Sequence, residues 1–141
     1  MRIMGLDFGE RTIGVAVSDA LLLTAQGITT IRRSSKELDE LRKIIEDYEV
    51  EKIILGYPKN MNNTLGPRAQ ETEEFAEILE KEFSLPTELW DERLSTMGAE
   101  RSLLEADLSR AKRKKFIDKM AAVFILQGYL DRLSLRGRKE E

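Results

Sequence analysis

The 141-residue sequence predicts an α/β fold: a mixed five-stranded sheet, its first three strands antiparallel and its later strands parallel, with helices on both faces. Three observations lead there. Two short apolar runs, residues 2–8 and 11–18, are joined by Phe8-Gly9-Glu10-Arg11, a connection of hairpin length. The stretch Lys52-Ile53-Ile54-Leu55-Gly56 is short and unbroken, as in a parallel strand covered on both faces. Around it, strand and helix patterns alternate as in a right-handed crossover series.

Each element has its own signal. The second strand alternates large and small residues from Thr12 to Ser18, and residues 24–32 form a third antiparallel strand with Ile28 and Ile31 as its apolar positions. Ser34 with Glu37 three residues later reads as a capping box, and Leu38, Leu41, Ile45 and Tyr48 follow at helical spacing, which predicts a helix over 35–48. A second helix has Pro67 near its start and Phe75, Ala76, Leu79 and Phe83 on one stripe, and a strand from Leu85 to Trp90 follows it. Ser95 or Thr96 can cap a helix through Leu103 and Leu104. The last helix is expected over 116–133, with Ile117, Met120, Ala121, Phe124, Ile125 and Gly128 on its apolar face. One domain over 1–141 is expected, with 136–141 as a frayed tail.

Composition excludes several chemistries. With Cys 0 and His 0 there is no disulfide, thiolate nucleophile, zinc finger or histidine base, so hydrolysis would need carboxylates, metal, lysine or water. No segment reaches the roughly 18 to 20 apolar residues of a membrane span, and the N-terminus runs into a strand rather than a signal peptide. A cytoplasmic location is expected, with no membrane partner. The net charge of −3 argues against coating nucleic acid by bulk electrostatics, but local clusters matter more than the sum.

Three acids stand out. Asp7 lies in an otherwise apolar strand, where an unpaired carboxylate costs several kcal/mol by order of magnitude. Turn amides at Gly9 and Glu10, or Arg11, could satisfy it; so could a cation. Glu92 follows the strand ending at Trp90, where it is either a solvated strand end or a ligand. Asp118 is either an N-cap or a ligand on the core side of the last helix, since steps of three, four and seven reach Ala121, Ala122 and Ile125. Converging, the three would hold Mg2+ (or Mn2+), and two such ions about 3.5 to 4 Å apart can clamp a phosphodiester.

Basic and polar residues supply candidate substrate contacts. Arg11 lies in the first turn. Lys59 and Asn60 follow Gly56 on the edge where open α/β sheets bind ligands, although a plain asparagine-rich turn fits that spacing too. Lys112, Arg113, Lys114 and Lys115 form a cationic run that is either a solvated loop or a grip on phosphates.

At these positions the chain resembles the YqgF/RuvX family of bacterial proteins, described as Holliday junction resolvases and as pre-16S rRNA nucleases. The segments are GLDFGERTIGVAVSD from Gly5, ILGYPKNMNNT from Ile54, LWDERLSTMGAE from Leu89 and KKFIDKMAAVFILQGYLD from Lys114. The resemblance implies a ribonuclease H-like fold, metal-dependent nuclease activity, and acidic roles for Asp7, Glu92 and Asp118. Two departures stand out: Asn63 replaces a common loop glycine, and Ala121 stands where related RuvC-type resolvases place a fourth acid.

The leading expectation is an endonuclease maturing the 5′ end of pre-16S rRNA, working on ribosomal assembly intermediates as a monomer or homodimer. Resolution of branched DNA junctions would use the same acids but needs a symmetric dimer. A non-catalytic RNA-binding assembly factor is the third reading. An ATP-binding protein of the actin and sugar-kinase type would need a second lobe, which 141 residues do not contain.

Overall fold

A computed structural model describes residues 1–57, 67–91 and 120–134. Five strands form one sheet: β1 (Arg2–Phe8), β2 (Thr12–Ser18), β3 (Ala25–Arg32), β4 (Val50–Tyr57) and β5 (Thr87–Asp91), in the order β3-β2-β1-β4-β5. The first three pair antiparallel; β4 joins β1, and β5 joins β4, in parallel. β1 is therefore the central strand. Helices α1 (Glu37–Tyr48) and α2 (Pro67–Phe83) complete the crossovers, and a third helix, α3, covers residues 120–134. Among the described residues no helix is long and apolar enough to cross a membrane.

Strand alternation divides the core in two. Met4, Leu6, Val15, Ile53 and Leu55 pack with Leu41 of α1 and with Phe75 and Leu79 of α2. Ile3, Ala16 and Ile54 point the other way, against Ala122, Ile125, Leu126 and Tyr129 of α3. The buried face of α3 also takes in Leu130, whereas Met120 and Phe124 are only half-buried, so the face is rotated from the one periodicity alone predicts. Ala121, Ala122 and Ile125 are all buried, as expected.

The capping box does not form. The Ser34 hydroxyl accepts from the Lys36 amide (3.1 Å), α1 starts at Glu37 without a side-chain cap, and Glu37 turns back to pair with Arg33 instead. A charge-assisted bond to arginine is the stronger partner for that carboxylate. The third strand is bulged between its pairings with Val15 and Ala16, which explains why its apolar alternation is weak: Ile31 is buried and Ile28 only partly so. At the far end of the sheet the buried Ser18 hydroxyl accepts from the Ile3 amide (2.9 Å), closing the β1–β2 ladder. The helix expected near 95–104 and the tail 136–141 lie outside the described residues.

Candidate active site

The C-terminal ends of β1, β4 and β5 form one edge of the sheet, because all three strands run parallel. Asp7 is the penultimate residue of β1 and is half-buried rather than enclosed, since its strand ends one residue later. By alternation it shares the α3 face with Ile3 and Gly5, while Phe8 turns to the α1/α2 face. Opposite Asp7 on β2 stands Gly14, which carries no side chain.

Small residues bring α3 close to this face. A Cβ on Gly5 would meet the Leu126 Cβ at 2.6 Å and the Ala122 carbonyl oxygen at 3.2 Å. Further along, Lys52, in register with Ile3, donates to the Tyr129 hydroxyl at 2.7 Å and pairs with Glu88 at 3.1 Å. Burial alone would depress the Lys52 ammonium, but its bonds to Tyr129 and Glu88 outweigh that and hold it above its ordinary 10.5. Residues 122 and 126 thus lie over Gly5 while residue 129 lies nearer the start of β1, so α3 runs antiparallel to β1. Its first turn faces the edge that bears Asp7.

The turn after Asp7 is tight. Gly9 donates its amide to the Thr12 carbonyl at 2.9 Å, and a Cβ at Gly9 would sit 3.0 Å from that same oxygen, which explains the glycine. Arg11 is exposed on this turn, and its carbonyl accepts from the Arg33 amide at 2.8 Å. At the other end of the edge Gly56 is in register with Trp90, and Tyr57 with Asp91. Asp91 lies on the same face as Leu89, which packs in the α1/α2 core, so it points away from the face of Asp7. Tyr57 also takes that face, donating to Glu73; this bond and burial raise its phenol above the ordinary value.

A cleft of about 370 Å3 opens behind the edge, on the α1/α2 side, lined by Phe8, Arg33, Leu38, Phe75 and Ile78 with Glu37, Glu71 and Glu74 on its rim. Helices α1 and α2 together carry eleven acidic and four basic side chains, which makes this layer repellent to phosphate.

Of the site residues expected from sequence, Asp7 and Arg11 are described and share the edge and its turn. Glu92, Asp118, Lys59, Asn60, Lys112, Arg113, Lys114 and Lys115 lie outside the described residues. Among the described residues no three acidic side chains are grouped to hold a metal. Sequence reasoning overlooked Arg33 and the Lys52–Tyr129 pair, because both act across elements and leave no periodic trace.

A mixed sheet in this order, with an acid at the end of its central strand, is the ribonuclease H-like arrangement. The fold matches that of Thermus thermophilus RuvC solved with a Holliday junction substrate, with a TM-score of 0.57 and 14% identity over 94% of this chain and 96% of that one. More particularly, the chain belongs to the RuvX family, described as a Holliday junction resolvase family, whose model matches residues 1–132. It is a member of the nucleases, hydrolases of phosphodiester bonds. A protein of Desulfitobacterium hafniense named "Putative pre-16S rRNA nuclease" is 81% identical over 93% of this chain and 92% of its own length. One of Clostridium botulinum with the same name is 59% identical over 95% and 99%.

Proposed function

We propose that this protein is a divalent-metal-dependent endonuclease that trims the 5′ end of pre-16S rRNA during ribosome assembly. The observation that supports it most directly is the position of Asp7: it stands at the edge shared by the ends of β1 and β5, on the face toward which the first turn of α3 is directed. Glu92 follows β5 in the chain, and Asp118 precedes the described part of α3 by two residues. Asp7, Glu92 and Asp118 are the side chains that would hold Mg2+ (or Mn2+). A carboxylate donor set without histidine or cysteine suits a hard cation.

The bound ion would acidify a water and neutralise charge on the phosphate. The chain itself positions the substrate. Arg11, exposed on the turn after β1, would meet a phosphate bound at the edge. Gly56 lets the backbone be approached closely, and Lys59, Asn60 and the run from Lys112 to Lys115 donate to phosphates without reading sequence. The acidic α1/α2 layer turns nucleic acid toward the α3 side, where Asp7 points.

The likeness of the relatives supports RNA as substrate, and the family description supports branched DNA as the second reading. Purified protein is incubated with Mg2+ and either precursor rRNA or a four-way DNA junction. Trimming of the RNA at its 5′ side is expected; symmetric cutting of the junction with the RNA left intact would reverse the assignment. Asp7→Asn is expected to abolish cleavage without lowering the melting temperature. Normal rRNA processing in cells carrying that variant would instead identify a non-catalytic assembly factor.

A further inference from the structure

We infer that Arg33 is a positioning residue for the Asp7 site, a role that rests on the metal-binding reading above. Four contacts converge on it. Its Nη1 donates to the Gly9 carbonyl at 2.9 Å, its Nε pairs with Glu37 at 2.7 Å, and its guanidinium lies 4.3 Å from the centre of the Phe8 ring. Its own amide donates to the Arg11 carbonyl at 2.8 Å. One residue just past the end of β3 therefore holds the first turn at Phe8, Gly9 and Arg11.

The consequence for Asp7 follows from strand geometry. Successive side chains point to opposite faces, so Phe8 is the handle by which the α1/α2 side controls the carboxylate on the α3 side. The Phe8 ring is stacked on Phe75 at 4.2 Å with 10° between the planes, which ties the handle to α2. With Phe8 and the Gly9 carbonyl both fixed, the peptide planes after Asp7 are set, and its carboxylate keeps only its side-chain torsions. A metal ligand must be held to within about 0.5 Å for binding to be strong. Without Arg33 the turn would keep the Gly9–Thr12 bond and the Phe8–Phe75 stack but lose the clamp on the Gly9 carbonyl.

The fold supplies an internal control. Arg42 has the same chemistry elsewhere: it pairs with Glu82 at 2.6 Å and lies 5.1 Å from the Phe83 ring, and among the described residues these partners lie on α2, away from the Asp7 turn. Loss of Arg42 removes an equivalent clip without touching the site.

The test measures Mn2+ binding by calorimetry, and hydrogen exchange of the Gly9 amide in metal-free protein, for wild type, Arg33→Ala, Arg33→Lys and Arg42→Ala. Arg33→Ala is expected to weaken Mn2+ binding by about 10-fold or more, as loss of an outer-shell partner does. It should also speed Gly9 exchange. Arg33→Lys, which keeps charge but not the planar fork, should fall between, and it replaces the alanine variant if that does not fold. Arg42→Ala should match wild type in both readouts. Unchanged affinity and exchange in Arg33→Ala, or equal losses in Arg42→Ala, would overturn the inference. If wild type and Asp7→Asn bind Mn2+ equally, the metal reading fails instead, and Gly9 exchange still decides whether Arg33 holds the turn.

Discussion

On the α1/α2 side of the sheet the strands present large apolar residues, Met4, Leu6, Val15, Ile53 and Leu55 among them, to Leu41, Phe75 and Leu79. On the α3 side the same strands present Gly5, Asp7, Gly14 and Ala16 beside Ile3 and Ile54, and the helix answers with Ala121, Ala122 and Gly128 beside Ile125 and Leu126. The first side buries more apolar area per residue and so contributes more stability. The second lets one helix approach until backbone meets backbone, and then fixes its place by polar bonds: Lys52 to Tyr129, and Gln127 to both the Ala25 amide (2.9 Å) and the Leu23 carbonyl (2.9 Å). The difference teaches that stability and placement are assigned to opposite faces, and the acid that matters for chemistry stands on the face built for placement.

Substitutions can break this division. Leu79→Ala on α2 removes a fully buried side chain and should cost about 2 to 5 kcal/mol in urea unfolding, while the folded fraction keeps its metal affinity. If affinity falls in step with stability, the two faces are not separable.

Gly5→Ala should cost less, about 1 to 3 kcal/mol, because its new Cβ meets Leu126 at 2.6 Å and must push α3 outward. The outward shift should weaken Mn2+ binding beyond what the stability loss explains. Adding Leu126→Ala should restore part of that binding, and failure of the double variant to do so would count against close approach as its cause.

Lys52→Met should cost about 1 kcal/mol by removing the bond to Tyr129. Because the folded Lys52 is raised above its ordinary 10.5, its contribution is fully present below that value and is lost as pH rises through the folded one. The variant should therefore show a flatter alkaline limb in a melting-temperature profile.

The smallest effect is expected at Asp19, whose carboxylate accepts from the amides of Leu23 (2.8 Å) and Thr24 (3.1 Å) in the loop that Gln127 clamps. Those bonds, led by the one from Thr24, hold its pKa below the ordinary 3.8. Their stabilisation is present above that value and fades as pH falls through the folded one. Protection of the Leu23 and Thr24 amides, taken relative to their intrinsic exchange rates, should fall over that acid range in wild type and be low at every pH in Asp19→Ala.

Much of the fold was legible in the chain itself. The hairpin follows from two apolar runs with a glycine between them, and β4 from an unbroken apolar stretch, because period and turn chemistry are local properties. The capping box misled because Glu37 has a stronger partner in Arg33, four residues before it, and two local motifs competed for one carboxylate. The face of α3 was misjudged for a related reason. Which stripe is buried depends on where Gly5 lets the helix settle, and helical period cannot supply that.

Sequence by itself determined the class of this protein: the order of strands and helices, the absence of histidine and cysteine chemistry, and an acid in the strand that proves central. Tertiary structure alone decided which way that acid faces and that an arginine just past β3 grips the turn beside it. Local patterns repeat over a few residues, whereas the direction of a carboxylate depends on register and on contacts between segments far apart in the chain.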